Sequence, residues 1–216
     1  MARRAIAVVS ACLFTAGAVA TVPDPGSAVI GSSGCVRAAR AATPGRGPEP
    51  YAPDPAKIAE MLADFNLRRS AARRGRWAPI TVSTWVHVIT DGPLGARDSA
   101  VRAQIAALNA AYAGRYGGAD TGIRFRLDGL VRTDNAAWFR DPLGYERPMK
   151  RARRGGAQTL NLYIAQLGEL VLGYSTYPYW YGSEPALDGV VIDWRTLPGG
   201  SLRNFDRGFT GVHEIG

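Results

Sequence analysis

The chain has 216 residues, 46% hydrophobic and 20% charged; this composition forms one packed domain and excludes a collagen-like, mucin-like or wholly disordered chain. The formal net charge is +8, and it is almost all arginine, since Lys57 and Lys150 are the only lysines. Two cysteines and two histidines exclude a disulfide framework, a cysteine-rich zinc module and a three-histidine metal site built within these residues.

The first element is an address. Arg3 and Arg4 precede an apolar run from Ala5 to Ala20, and two small-residue cleavage patterns follow, Ala18-Val19-Ala20 and Gly26-Ser27-Ala28. Residues 1–28 therefore read as a secretory signal peptide, and the mature chain as secreted, extracellular and without a stable membrane anchor. The run falls short of the ~20 residues of a comfortable membrane span. An uncleaved anchor is the competing reading. A lipidated Cys12 is a third, weakened because the apolar stretch continues past that cysteine.

Residues 29–78 read as a pro-region or linker. Pro44, Pro48, Pro50, Pro53 and Pro55 punctuate its first half, as in loops. Ile58, Met61, Leu62 and Phe65 then share one helical face. The basic run Arg68, Arg69, Arg73, Arg74 and Arg76 is a solvated face, a hinge or a processing site. It lacks the interleaved aromatics of a nucleic-acid surface, and no nucleic-acid partner is expected.

Residues 79–216 hold the folded part. Ile80 to Thr90 is rich in β-branched residues and apolar on both faces, as in a strand covered by helices. Asp98 or Ser99 can cap a helix carrying Val101, Ile105, Leu108 and Tyr112. A second strand follows at Ile123, Phe125 and Leu127, giving a right-handed crossover unit. A helix is predicted over 145–154, closed by Gly155-Gly156. Further strands are predicted at Leu160–Ile164, Val171–Tyr177 and Gly189–Trp194. The fold class is α/β: a twisted, mixed five-stranded sheet with helices packed on it.

The last residues carry the chemistry. Phe209-Thr210-Gly211-Val212-His213-Glu214-Ile215-Gly216 contains the His-Glu that opens the zincin motif H-E-x-x-H. In that motif two histidines one helical turn apart hold zinc, and the glutamate between them handles the proton of the attacking water. Alone, the dipeptide also fits a surface pair at a frayed helix end.

Its surroundings raise the reading. WVHVIT (85–90), QIAALNAAYAG (104–114), IRFRLDGLVRTDNAAWF (123–139), GGAQTLNLYIAQLG (155–168), LGYSTYP (172–178), DGVVI (188–192), LPGG (197–200) and GFTGVHEIG (208–216) follow in order. Together they resemble pappalysin-type, ulilysin-like metzincin zinc metallopeptidases. The resemblance implies the N-terminal subdomain of a zincin-like catalytic domain, interrupted inside the motif and with the C-terminal subdomain missing. It implies one zinc ion with His213 as a ligand, its remaining ligands beyond Gly216, Glu214 as the catalytic base, and a protein or peptide substrate. It further suggests that Gly173, Tyr174, Ser175, Thr176 and Tyr177 form the edge strand on which substrate lies, and that the pro-region thiol of Cys35 blocks the zinc. The competing readings are a core strand, an incidental thiol, and a non-catalytic secreted peptide-binding module. His87, in mid-strand, reads as a structural residue, and Asp188 as a turn or cap residue. The oligomeric state is not legible.

Overall fold

The computed structural model describes residues 53–71, 78–168 and 171–216. The signal segment, Cys12, Cys35 and Arg73, Arg74 and Arg76 lie outside the described residues. The first described helix, α1 (Pro55–Ala71), is longer than the apolar face alone indicated. Pro55 occupies its first turn, and the Lys57 N–H donates to Asp54 Oδ1 at 2.8 Å, so proline and cap set the start. Ile58, Leu62 and Phe65 remain exposed. The helix touches the rest of the domain through Met61, whose sulfur accepts from the Tyr179 hydroxyl at 2.7 Å, and through Lys57, 5.6 Å from the centre of the Tyr179 ring.

β1 (Ile80–Thr90), β2 (Ile123–Asp134), β3 (Thr159–Ala165), β4 (Gly173–Ser175) and β5 (Val190–Asp193) form one sheet in the order β2-β1-β3-β5-β4. The first four run parallel, and β4 is antiparallel to β5 at the sheet's edge. Helix α2 (Asp98–Tyr112) links β1 to its parallel neighbour β2, as the crossover reading expected. Asp98 does not cap it: Arg97 holds the cap position without a side-chain bond, and Asp98, in the first turn, pairs with Arg132.

Both faces of β1 are covered. Val86 and Val88 join Leu162, Ile164 and Ile192 under Val101, Ile105 and Leu108 of α2. Ile89 joins Tyr163, Tyr174 and Val191 against Phe139 and Met149 on the other side. Those last two residues come from short helices, α3 (Ala136–Arg140) and α4 (Glu146–Lys150). The first was not apparent in the sequence; the Asn135 side chain starts it by accepting from Trp138 N–H at 3.1 Å. The second is shorter than the predicted 145–154. Arg154 turns its N–H and C=O to the Asn161 carboxamide, at 2.8 and 3.0 Å, so the chain leaves the helix to tie down the start of β3.

β2 carries a bulge. Thr84 pairs with Leu127 but Trp85 with Gly129, leaving Asp128 as the extra residue. The Trp85 ring lies against Gly129, where a Cβ would come within 2.2 Å of it.

His87 is 1% exposed. Its ring stacks on Tyr163 at 4.5 Å between centroids, and its Nε2 lies 3.0 Å from Asn161 Oδ1, to which it donates. Burial pushes its pKa below the ordinary 6.5, with the Asn161 bond opposing. A neutral ring in the folded state takes up its proton only on unfolding. Stability from this group is therefore complete above about pH 6.5 and falls as the pH drops toward the lowered folded value. Melting temperatures between pH 7.5 and 5 are expected to decline, and His87→Gln, which keeps a donor for Asn161, is expected to flatten that decline.

Candidate functional site

The predicted chemistry sits on α5 (Phe209–Ile215). Its start is set by Gly208, at φ +79°, a left-handed conformation that glycine adopts without penalty. The helix is then seated on α2 through Gln104, which is fully buried and donates from Nε2 to the Gly208 carbonyl at 2.9 Å. A Cβ on Gly211 would lie 2.5 Å from that same nitrogen. Glycine at 211 thus lets the helix backbone rest directly on the amide. Neither Gln104 nor Gly211 was singled out from sequence; a polar residue at i+3 on the apolar face of α2, between Val101 and Leu108, was the available signal.

With the helix so placed, His213 is exposed and Glu214 half-buried. The Glu214 side chain lies over Gly173 of β4, where a Cβ would be 2.7 Å from Glu214 Cγ and 3.0 Å from its Oε1. The base candidate and the edge strand, 41 positions apart in sequence, are therefore in direct contact.

The edge itself is a short strand, Gly173–Ser175; Thr176 and Tyr177 lie past its end. Asp193 N–H donates to the Leu172 carbonyl at 2.8 Å, and Thr176 N–H to the Gly189 carbonyl at 3.4 Å. In an antiparallel ladder this alternation turns Tyr174 toward β5 and directs the N–H and C=O of Gly173 and Ser175 outward. Tyr174 drops its side chain into the core. Thr176 instead bonds the loop before β5: its hydroxyl donates to the Leu187 carbonyl at 3.2 Å and accepts from Gly189 N–H at 3.2 Å. Pro178, which has no N–H, then opens a 3₁₀ turn, Pro178–Trp180.

That loop is pinned from below by Lys150. The ammonium, fully buried, pairs with Glu146 at 2.7 Å and donates to the carbonyls of Leu187 at 2.7 Å and Gly189 at 3.2 Å. Burial pushes its pKa below the ordinary 10.5, and Glu146 opposes that shift. Asp188 pairs with Arg153 at 3.2 Å beside the 3₁₀ turn Pro185–Leu187, a turn role. Asp193, buried at the end of β5, looks catalytic in isolation, but its carboxylate accepts from Leu167 N–H and from the Arg195 backbone and guanidinium at 2.7–2.9 Å. It is a structural anchor.

An open cleft of about 1260 Å³ extends across this end of the sheet, from residues 175–178 past residues 159–161 of β3 to residues 80–83 of β1, with His213 and Glu214 on its lining. Among the described residues no group of three His, Cys, Asp or Glu side chains could hold a metal ion. His213 supplies one imidazole, and catalytic zinc sites use three protein ligands, so the described residues do not by themselves make a zinc site. No described helix is long and apolar enough to cross a membrane.

This fold is similar to that of two solved mirolysin structures. It matches a Tannerella forsythia promirolysin mutant with a TM-score of 0.59 at 21% identity, over 75% of this chain and 62% of that one. It also matches mature mirolysin in complex with a cleaved peptide, with a TM-score of 0.55 at 21% identity, over 65% and 63% of the two chains. No family model matches the chain. By sequence it is 38% identical over 162 residues to an extracellular metalloprotease of Arthroderma benhamiae, covering 72% of this chain and 52% of the relative. It is 36% identical over 169 residues to one of Podospora anserina, covering 74% and 54%. The chain is thus similar in sequence to extracellular metalloproteases, as the ordered motifs implied, and spans about half the length of the curated relatives it matches.

Two substitutions probe the geometry. Lys150→Met leaves the Glu146 carboxylate buried without its cation and is expected to cost about 3–5 kcal/mol in denaturant titrations. Gly173→Ala is expected to change the melting temperature little, while a crystal structure of the variant shows the Glu214 side chain turned away from β4.

Proposed function

We propose that this chain is the N-terminal part of a secreted zinc-dependent endopeptidase. The observation that carries the reading is the contact of Glu214 with the edge strand β4 in a relative of extracellular metalloproteases. A peptide laid antiparallel on β4 would take main-chain hydrogen bonds from the outward groups of Gly173 and Ser175. That would bring a backbone carbonyl beside Glu214. The carboxylate is then placed to take the proton of an attacking water and return it to the departing amine. His213, one position earlier on the same helical turn, would be a metal ligand; its companions are not among the described residues. Bound zinc would polarise the scissile carbonyl and supply the nucleophilic water. The pro-region assignment of residues 29–78, and a blocking role for Cys35, belong to the same proposal.

The second reading is a non-catalytic peptide-binding module. It is favoured by the single imidazole of the described site and uses the same edge strand.

Sequencing the gene beyond the codon for Gly216 separates them. The expected result is a histidine codon next, then x-x-Gly-x-x-His. The chain so extended is expected to cleave unfolded casein, to stop when zinc is chelated, and to lose at least about 100-fold in kcat on Glu214→Ala with its peptide affinity kept. A stop codon at that point, with chelator-insensitive peptide binding by the 216-residue chain, would establish the module instead. Neither proteolysis nor peptide binding would sink both.

A further inference from the structure

Where β4 ends, the chain forms a closed aromatic turn that the reading above does not use. Tyr177 and Tyr179 stack at 5.5 Å, and Trp180 meets both edge-on, at 5.2 and 5.9 Å. Behind this turn lies a cavity of about 310 Å³, lined by Thr176, Trp180, Tyr181, Leu187, Glu184 and Asp188. It lies at the small end of the range of ligand sites, roughly 300–1,000 Å³, enough for one side chain. Thr176, the residue that follows β4, is on its lining, so the cavity lies at the end of the edge strand on which the added peptide would run.

Its walls are fixed in advance. The Glu184 N–H donates to the Trp180 carbonyl at 2.8 Å, and the Tyr181 N–H to that of Pro178 at 3.2 Å. The opposite wall, at Leu187, is held by the buried Lys150 ammonium. Ordering such a site on binding therefore costs little conformational entropy. Its two acids are already engaged, Glu184 with Arg147 at 3.0 Å and Asp188 with Arg153 at 3.2 Å. The cavity offers apolar and aromatic surface, not a charge for a basic side chain.

We propose that this cavity is a side-chain subsite taking an aromatic or large aliphatic residue of an extended peptide on the β4 edge, on the N-terminal side of the bond nearest Glu214. The side follows from direction. An antiparallel peptide runs opposite to β4, so the part that passes Ser175 toward Thr176 is its N-terminal part. This inference rests on the strand-addition reading above and deepens it into a sequence preference.

The test is a binding scan with the full chain in the presence of chelator, so that cleavage does not intervene. Fluorescein-labelled eight-residue Ala/Ser peptides, with a single Phe moved through each position, are titrated by fluorescence polarisation against the Phe-free parent. One position is expected to bind about tenfold tighter than the parent, from burial of one ring, and Lys there is expected to lose the gain. Ser183→Trp, a change at an exposed residue on the cavity's lining, is expected to bring the favoured Phe peptide down to the parent's affinity. Ser175→Pro is expected to weaken every peptide in the set. Equal affinity across the Phe scan, or a preference that survives Ser183→Trp, overturns the subsite and leaves strand addition standing. No binding of any peptide overturns both.

Discussion

The backbone of Gly211 lies against the carboxamide of Gln104, and this close approach decides where the His213-Glu214 turn can be. A side chain at 211 would meet Gln104 Nε2 at 2.5 Å, lifting α5 off α2. The same amide fixes the helix start through the Gly208 carbonyl. A second bare backbone, at Gly173, then leaves room for the Glu214 side chain on the edge strand. The site is thus built by withholding side-chain volume at two points on either side of one short helix. Seven residues make a marginal helix in isolation; packing on α2, β4 and β5 holds this one.

The opposite side of the sheet does different work. There a buried ion pair, Lys150 with Glu146, reaches across to the loop before β5 and holds two of its carbonyls. Desolvating both charges is expensive, and the hydrogen bonds to Leu187 and Gly189 are what the arrangement gains in return. The loop in turn fixes Thr176, and Thr176 fixes the end of β4. The free edge of β4 is therefore braced, although its strand is only three residues long.

Particular residues show where sequence reading succeeded and where it stopped. The β-branched run of β1 is fully legible because burial on both sides leaves a continuous apolar pattern. The crossover to β2 follows from two strands and one amphipathic helix in order. The predicted helix over 145–154 is too long because Arg154 finds a competing partner in Asn161, a contact between elements that no local pattern records. Helix α3 was invisible for a related reason: five residues give too little periodicity to register. His87 was legible as structural, and its stacking on Tyr163 and bond to Asn161 supply the cause.

The sequence by itself determined the α/β class, the strand positions and the likeness to metallopeptidases, and it singled out His213 and Glu214 as the candidates for the chemistry. These are properties of residue type, spacing and order. Only the tertiary structure decided that Glu214 lies on Gly173, that Gln104 seats the helix, and that Lys150 braces the edge. Each of these joins elements 37 to 107 positions apart. Such contacts are set by close packing of whole elements, where a missing Cβ or a buried amide matters only once its partner has arrived.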